Sequence, residues 1–350
     1  MTEIAIKAEN LNPFIIDLTT KTGLTKSDAG IFAESLIDAD LKGIRSHGLI
    51  RLPIYIRRME AGVIDTAKKV EVVKEKGSIK ILNANHGLGQ VAGVSGMEMA
   101  ISSAREFGVG ICAIFNSNHF GALGYYTELA SKGEMIGLAI TNTFPTMAPM
   151  GGKEKVIGNN PFAISVPRSR DFPITYDVAT STVAYGKIMV AQREGKKIPL
   201  GWALDSEGTP TDNPDEVILR NGSLTPFEKH KGYGLAFVLE ILAAVLTGAS
   251  FGRQIHSMFD LEEFAGLGHF MMAIDIEHFI EFGNFYDRVE QFVQSIKFSK
   301  LAKGAEEILI PGETEHRNKR VNMEKGLVYD LSLIEEINIL ARKYSCAVLT

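Results

Sequence analysis

His47, Arg51 and Tyr55 are the side chains whose types and spacing are best suited to acid–base chemistry on an anion. They lie four residues apart within SHGLIRLPIYIRRMEAG. On a helix this spacing places three side chains on one face. A histidine exchanges a proton near neutral pH, and an arginine one turn away offers a planar fork for a carboxylate. The pattern predicts a proton-transfer site for an acid, with a solvated surface turn as the alternative.

The helix that carries these side chains is expected to begin near Ser46–His47 and to end at Gly62. Ser46 can serve as its N-cap. The positive potential of that helix N-terminus would favour an anionic ligand and would keep the imidazole of His47 neutral. A neutral His47 would be ready to act as a base.

A second candidate histidine, His119, lies in SNHFGALGYY. It follows the apolar run VGICAIFN, which predicts a buried strand, and it precedes a predicted helix. Open α/β sheets bind ligands at strand ends of this kind, and Gly121 and Gly124 would let a ligand approach the backbone. A turn histidine bonded to the main chain is the alternative.

Other segments have compositions typical of cofactor-contacting loops. GGKEKVIGNNPF is rich in glycine and asparagine, and its exposed amides are expected to be able to cradle phosphates. YDVATSTVAYGK places Asp177, Thr180 and Lys187 after a predicted strand. KHKGYGL places Lys231 at the start of a long apolar helix, where free N–H groups favour a pyrophosphate. Ordinary turns explain the same compositions.

The segment GLGQVA matches the dinucleotide pattern G-x-G-x-x-G/A between a predicted strand and a predicted helix. A Rossmann site also needs an acidic residue at the end of the following strand. Here that strand runs into Asn116, Ser117 and Asn118. We therefore predict that these glycines form a tight strand-to-helix turn, and that the chain has no Rossmann fingerprint.

Composition and charge restrict the class of protein. The 350 residues, 45% hydrophobic and 23% charged, predict a globular chain with two domains, or one large domain with an appendage. A net charge of −5 argues against a nucleic-acid groove. Cys112 and Cys346 cannot build a disulfide framework or a multi-cysteine zinc site, and no histidine pair has ligand spacing. We predict a reduced, cytoplasmic protein without a metal.

Alternating strands and helices predict an α/β core. Strands are expected at VEVVKEKGSIKILNA, VGICAIFN, MIGLAITNT, FAISVP and HFMMAIDI, with helices at 91–107, 125–132 and near 285–299. Residues 186–230 predict an irregular excursion. The apolar stretch 233–252 contains Glu240 and predicts a buried helix in preference to a membrane span.

The two ends of the chain predict helices that pack together. The first 65 residues have helical patterns, and the tail after Pro311 is charged and helical again. We therefore expect a helical domain at 1–67, an α/β cofactor-binding domain at 68–310 and a segment at 311–350 that packs on the helical domain.

Taken together, the motifs resemble those of the malate/L-lactate dehydrogenase family that is unrelated to the Rossmann lactate dehydrogenases. The resemblance covers nearly the whole chain and is carried by SHGLIRLPIYIRRMEAG, SNHFGALGYY, GNNP, YDVATS with YGK, IPLGWALDSEGTPTD, HKGYGL and PGE. The family includes ureidoglycolate and sulfolactate dehydrogenases, diketogulonate reductase and cyclic-imine reductases. The resemblance implies a homodimeric, nicotinamide-dependent oxidoreductase with a non-Rossmann α/β domain and a discontinuous helical domain.

The resemblance also implies roles for single residues. His47 matches the acid–base histidine with Ser46 beside it, Arg51 matches the arginine that binds the substrate carboxylate, and Tyr55 shares their face. Lys187 stands where imine reductases carry an aspartate, so it favours hydroxy acids. His119 matches a segment at the nicotinamide for which a proton-transfer role is also proposed. The implied cofactor-contacting residues are His119, Phe120, Gly121, Ala122, Asn159, Asp177, Val178, Ala179, Thr180, His230, Lys231, Gly232, Gly312 and Glu313.

The resulting hypothesis is hydride transfer between a nicotinamide cofactor and a small 2-hydroxy acid of the malate, ureidoglycolate, lactate or sulfolactate type. Likeness to the ureidoglycolate enzyme favours NAD, and NADP stays open. A cyclic-imine or diketo-acid reductase is one alternative. A non-catalytic binding protein is the other, although the joint presence of His47, Arg51, His119 and Lys231 argues against it.

Overall fold

The computed structural model describes residues 3–170 and 172–350. Its first elements are β1 (Glu3–Ile6), α1 (Ala8–Lys21), α2 (Lys26–Leu41), α3 (Leu52–Glu60), β2 (Glu71–Lys76), β3 (Ile79–Asn83), α4 (Gly89–Phe107), β4 (Val109–Ser117), α5 (Gly124–Lys132) and β5 (Met135–Thr141). The later elements are β6 (Phe162–Val166), β7 (Ile174–Val178), α6 (Tyr185–Arg193), β8 (Ala203–Leu204), β9 (Pro210–Thr211), α7 (Pro214–Ile218), β10 (Ser223–Leu224), α8 (His230–Glu240), β11 (Leu267–Asp275), α9 (Phe282–Lys297), α10 (Glu313–Lys325), β12 (Leu327–Asp330) and α11 (Leu331–Lys343). The predicted α/β class is confirmed.

A seven-stranded mixed sheet with the order β2-β3-β4-β11-β5-β6-β7 forms the centre of the fold. Among the described strands of this sheet, β3 and β4 are the one parallel pair; β11 lies between β4 and β5 and is antiparallel to both. As a result β3, β4, β5 and β7 run in one direction, and their carboxyl ends meet at one edge of the sheet. The sheet is not the parallel sheet of a Rossmann fold.

Helices cover both faces of the sheet, which explains why its central strands are almost continuously apolar. Met271 and Ala273 of β11 pack with buried residues of α4 and α5. Phe270 points to the other face and packs with Leu239 of α8 and with Ala243. The rigid sheet edge between these helix layers is where the site lies.

The two ends of the chain share one apolar core. Phe32 and Leu36 of α2, Ile56 of α3 and Ile337 of α11 belong to it, and β1 pairs antiparallel with β12. The helical part is therefore discontinuous in sequence, as expected. The domain boundaries after residues 67 and 310 stay a prediction.

The helix expected to begin at Ser46–His47 begins instead at Leu52. Arg45–His47 and Leu49–Arg51 form single turns of 3₁₀ helix on either side of Gly48, which has φ −90° and ψ −147°. The prediction of one continuous helix capped by Ser46 was wrong. The N–H of Leu49 donates a hydrogen bond to the carboxylate of Asp40. This tertiary contact replaces the helical turn that local propensity favours.

The apolar stretch at 233–252 also differs from its prediction. Helix α8 begins at His230 and continues as a π-helical turn at Ile241–Val245. One stripe packs on the sheet, but Phe237, Val245 and Leu246 have exposed fractions of 52%, 56% and 59%. The prediction of a buried helix was therefore wrong for half of its surface. No helix in the described ranges has the length and apolar character needed to cross a bilayer.

Residues 186–230 are more regular than predicted. They contain most of α6, all of α7 and a small sheet with the order β10-β8-β9. Ile188, Ile198, Ala203 and Val217 form a separate small core there. The prediction of an irregular excursion was wrong, because strands of two residues are too short to show a hydrophobic period.

Candidate active site

A cavity of about 330 Å³ opens at the sheet edge where β4, β5 and β7 end. It brings together twelve of the predicted site residues: Ser46, His47, Arg51, Tyr55, His119, Phe120, Gly121, Ala122, Asn159, Asp177, Val178 and Ala179. The predicted residues outside its lining are Thr180, Lys187, His230, Lys231, Gly232, Gly312 and Glu313. The segment before α3 and the loops after β4 and β7 thus share one site.

Two imidazole rings face each other in the cavity. The ring centroids of His47 and His119 are 5.6 Å apart, and their planes differ by 18°. Nδ1 of His47 lies 2.8 Å from Oγ of Ser46, so Ser46 contacts the histidine and caps no helix. The Nε2 edge of His47 is then the one left to exchange a proton with a ligand.

Arg51 is the cation placed to bind an anion beside these rings. Its Nε donates to the carbonyl oxygen of Ser46 at 2.7 Å, and its guanidinium lies 5.6 Å from the ring centroid of Phe259. Within the described ranges it has no carboxylate partner, and burial lowers its pKa. A buried guanidinium without a counter-ion favours an anionic ligand.

Both histidines are neutral at pH 7. Burial, and to a smaller extent the nearby charge of Arg51, lowers the pKa of His47 to about 4. Burial also holds the pKa of His119 well below its usual value, with smaller effects from the neighbouring His47 and Arg51. The neutral state of His47 was predicted, but its expected cause was wrong, because His47 precedes α3 and does not sit at the N-terminus of that helix.

Tyr55 positions the ring of His119 through a hydrogen bond. Its side chain is buried, and its hydroxyl oxygen lies 2.6 Å from Nδ1 of His119. Gln90 donates from Nε2 to the same oxygen at 2.7 Å. Tyr55 was predicted as a substrate-binding residue; it lines the cavity, but its hydroxyl is already engaged by protein groups.

Gln90 belongs to the GLGQVA segment, whose glycines pack against the site. A Cβ on Gly89 would overlap the carbonyl oxygens of Asn118 and His119. This close approach explains the glycine by packing and leaves no room there for a nucleotide. Sequence reasoning missed Gln90, because nothing in the motif shows that α4 meets α3.

In the segment GGKEKVIGNNPF residues 151–154 are exposed as expected, but its GNNP part is packed, contrary to the expectation of exposed amides. Asn160 is fully buried, and its Nδ2 donates to the carbonyl oxygen of Ala236 at 3.0 Å. Oδ1 of Asn159 accepts from the hydroxyl of Thr143 at 2.9 Å. The hydroxyl of Thr180 donates to the carbonyl oxygen of Asn159, also at 2.9 Å. The expectation failed because α8 covers this loop.

The loop after β4 is held by Asp177. Its Oδ2 accepts from the backbone N–H of Gly124 at 2.8 Å, and burial raises its pKa to about 6. Gly121 has φ +83°, and a Cβ added there would point into open space. The backbone of this loop is thus accessible from the cavity, as a cofactor-contacting stretch requires.

Three predicted residues are exposed and do not line the cavity. Lys187 is exposed on α6, whereas its neighbour Gly186 lines the cavity next to Ser46. His230 and Lys231 are exposed at the start of α8. Their contact with substrate or cofactor stays a prediction.

The remaining predicted residues have structural contacts. Gly232 lies so close to Thr180 that a Cβ added to the glycine would be 2.8 Å from the carbonyl oxygen of Thr180. Gly312 has φ +87° and lies against the backbone of β7. The carboxylate of Glu313 forms ion pairs with Lys297 and Arg317, each at 2.6 Å. Their cofactor contacts also stay predictions.

A charged cluster at one end of the cavity was missed. Lys42 Nζ lies 2.6 Å from Oδ2 of Asp38 and 2.8 Å from Oε2 of Glu128, and all three line the cavity. Lys42 and Glu128 are 86 positions apart in the chain. Only the packing of α2 near α5 brings them together, so no local pattern could have revealed them.

Comparisons with known proteins agree with this architecture. Residues 6–338 match the model of the malate/L-lactate dehydrogenase family. Malate/(S)-sulfolactate dehydrogenase of Methanothermus fervidus is 40% identical over 336 residues, which is 96% of this chain and 97% of that protein. (2R)-3-sulfolactate dehydrogenase (NADP(+)) of Chromohalobacter salexigens is 38% identical, covering 91% and 92%. Ureidoglycolate dehydrogenase (NAD(+)) of Escherichia coli K12 is 32% identical, covering 95% and 93%.

Solved structures show the same fold. Sulfolactate dehydrogenase from Methanocaldococcus jannaschii superposes with a TM-score of 0.92 at 40% identity, covering 98% of each chain. Delta1-piperideine-2-carboxylate reductase from Pseudomonas syringae superposes with a TM-score of 0.87 at 28% identity, covering 97% of this chain and 100% of that chain.

Proposed function

We propose that this chain, which belongs to the malate/L-lactate dehydrogenase family, transfers a hydride between a nicotinamide cofactor and a small 2-hydroxy acid. The observation that carries the proposal is the pairing of two groups in one cavity. A neutral His47 stands beside Arg51, a buried cation that no carboxylate of the described ranges neutralises. His47 is suited to accept a proton, and Arg51 is suited to bind a carboxylate.

The proposed mechanism assigns one role to each group. The substrate carboxylate binds the guanidinium of Arg51, which places the C2 hydroxyl near the two imidazoles. Nε2 of His47 takes the hydroxyl proton while the C2 hydride departs, and it returns the proton when the 2-oxo acid is reduced. The nicotinamide, when bound, supplies the hydride acceptor. Ser46 holds the other nitrogen of His47.

The cofactor is proposed to bind along the loops after β4 and β7. Gly121 and Ala122 on one side and Asp177, Val178 and Ala179 on the other border the cavity. The space beside Gly121 fits such a group, because a side chain there would fill it. NAD is favoured by the ureidoglycolate relative, whereas the sulfolactate relative named for NADP(+) keeps NADP as the alternative.

The first test measures the formation of reduced nicotinamide with purified protein. NAD and NADP are each combined with malate, lactate, sulfolactate and ureidoglycolate. One pair should stand well above the rest and would identify cofactor and substrate together. The absence of turnover with every acid, and with the corresponding oxo acids in reverse, would contradict the proposal.

The second test replaces His47 by glutamine. We expect kcat to fall by about 10²- to 10⁴-fold, because the proton acceptor is lost. The dissociation constant of the cofactor should change little. His278→Gln, an exchange of a histidine in the 3₁₀ turn after β11 and outside the cavity lining, is the matched control. An unchanged kcat in His47→Gln would refute the assignment.

A cyclic-imine reductase is the second candidate. The structural likeness to delta1-piperideine-2-carboxylate reductase favours it, and the argument from Lys187 against it weakens because that lysine is exposed outside the cavity lining. Oxidation of reduced cofactor by a cyclic imine carboxylate, faster than by any oxo acid, would decide for this reaction. Cofactor binding without turnover of either class would indicate a non-catalytic binding protein.

A homodimer is also proposed. The exposed apolar side chains on and after α8 give the single chain an uncovered face that a second copy could bury. The two free cysteines accord with a reduced, cytoplasmic protein.

A further inference from the structure

We propose that Gln90 and Tyr55 hold the single ring proton of His119 on Nε2, so that His119 donates a hydrogen bond to the substrate oxygen and His47 alone exchanges the proton. The inference rests on the proposed dehydrogenase function for the substrate part. Its structural part, the position of one proton, is independent of any reaction.

The first step is the direction of the hydrogen bond from Gln90. Nε2 of Gln90 lies 2.7 Å from the hydroxyl oxygen of Tyr55 and donates to it. Both side chains are buried. Because the oxygen already accepts a proton from Gln90, the one proton of the Tyr55 hydroxyl is directed elsewhere.

The second step is where the Tyr55 proton goes. Two acceptors are within reach, Nδ1 of His119 at 2.6 Å and the carbonyl oxygen of the same residue at 3.2 Å. The distance of 2.6 Å lies within the usual range of a hydroxyl donor and below that of an N–H donor, whereas 3.2 Å lies beyond the usual range of a hydroxyl donor. Nδ1 of His119 is therefore the acceptor.

The third step follows from the charge state of His119. The burial that lowers its pKa makes the ring neutral at pH 7, so it carries one proton. If Nδ1 accepts, that proton is on Nε2. His119 lines the cavity opposite His47, so it presents an N–H group there.

The consequence is a division of roles between two histidines that look equivalent. A ring with its proton on Nε2 can stabilise negative charge on the substrate oxygen, but it has no lone pair there to take a proton. Among the described residues, no such chain of hydrogen bonds lies behind His47; its Nδ1 contacts the hydroxyl of Ser46, which can donate or accept. Tyr55 and Gln90 are then positioning residues that act through His119.

The direct test is the tautomer of His119 in the protein without ligands. Histidine labelled with ¹⁵N gives long-range ¹H–¹⁵N correlations that distinguish the two tautomers, and His119→Gln assigns the ring. We expect the Nε2–H pattern with Nδ1 as a hydrogen-bonded acceptor. A ring of His119 protonated on Nδ1 would overturn the inference.

Removing Tyr55 or Gln90 from this chain of hydrogen bonds should change the Nδ1 resonance of His119. Tyr55→Phe and Gln90→Leu should each shift the Nδ1 resonance of His119 towards that of an acceptor without a hydrogen bond. Tyr126→Phe is the matched control, since it loses another buried hydroxyl, one that donates to the carbonyl of Phe120. An Nδ1 resonance that stays unmoved in folded Tyr55→Phe would overturn the role of Tyr55, and one unmoved in Gln90→Leu would overturn that of Gln90.

Kinetic measurements distinguish a histidine that donates a hydrogen bond from one that accepts the proton. Glutamine keeps an N–H donor but cannot take a proton, so His119→Gln should lower kcat by about 10-fold, against about 10²- to 10⁴-fold for His47→Gln. Tyr55→Phe should lower kcat by about 10-fold with little change in the dissociation constant of the cofactor. Equal losses in the two histidine variants would overturn the division of roles. If no dehydrogenase activity exists at all, the tautomer measurement still decides the structural part.

Discussion

The carboxylate of Asp40 accepts a hydrogen bond of 2.8 Å from the backbone N–H of Leu49. The same oxygen, Oδ2, accepts from the hydroxyl of Tyr329 at 2.7 Å. One buried carboxylate of α2 thus ties the 3₁₀ segment that carries His47 and Arg51 to the C-terminal strand β12. Burial raises the pKa of Asp40 to about 6 in spite of these bonds.

The raised pKa predicts a pH-dependent stability that Asp40→Asn should abolish. The unfolded value is 3.8, so the contribution of Asp40 is fully present below that pH and is lost as the pH rises through about 6. Between about pH 4 and 7 the wild type should lose about 3 kcal/mol of unfolding free energy relative to Asp40→Asn. Denaturant unfolding at several pH values measures this, with the exposed Asp287→Asn as control. A difference that does not vary with pH would contradict the prediction.

Gly48→Ala should damage both stability and activity. A Cβ at this position would overlap the carboxylate of Asp40, so the segment must shift. We expect a loss of about 1–3 kcal/mol in unfolding free energy, together with a lower kcat. Gly30→Ala is the matched control, because it lies in α2 with open space around the added Cβ and should stabilise by about 0.5–1 kcal/mol. The two variants should therefore move the melting temperature in opposite directions.

Arg51→Met should raise the KM for the hydroxy acid by about 10²-fold or more, since truncating one partner of a buried charge pair costs about 2–5 kcal/mol. Arg51→Lys should recover only part of this loss, because an ammonium cannot form the planar, two-bonded contact. Arg57→Met removes an exposed arginine of α3 that pairs with Glu336, and it should leave the KM unchanged. Initial rates at saturating cofactor measure all three, and an equal effect at both positions would argue against a specific carboxylate site.

The pH profile of hydroxy-acid oxidation should show no decline near pH 7 that is caused by protonation of His47. Because the pKa of His47 is lowered to about 4, its basic form persists down to about that pH, and it is lost only as the pH falls through that value. We expect the kcat/KM for the hydroxy acid to vary little between about pH 5.5 and 8 on account of His47. A decline below about pH 6.5 in the wild type that His47→Gln removes would show an unshifted histidine.

The exposed face on and after α8 should mediate self-association. Val245 and Leu246 are each more than half exposed in the single chain. Replacing both by glutamate would introduce charges into an apolar interface, so the species in solution should change from dimer to monomer. Sedimentation velocity measures the change. A wild type that is monomeric at micromolar concentration would contradict the predicted homodimer.

The sequence by itself determined the elements with long hydrophobic periods and the residues that are near one another in the chain. Strands β4, β5 and β11 and helices α4 and α5 follow from their own apolar patterns. His47, Arg51 and Tyr55 all line the cavity, although two 3₁₀ turns on either side of Gly48 replace the continuous helix that their spacing predicts. Nearness along the chain therefore sufficed for this part of the site.

Only the tertiary structure decided how that segment is completed. His119 reaches His47 because β4 ends at the same sheet edge, and Gln90, near the start of α4, forms a hydrogen bond with Tyr55 of α3. The hydrogen bond from Leu49 to Asp40 replaces a helical turn that local propensity favours. These contacts depend on which strands and helices become neighbours. That choice is made by burial of the whole apolar surface, and no local sequence window contains it.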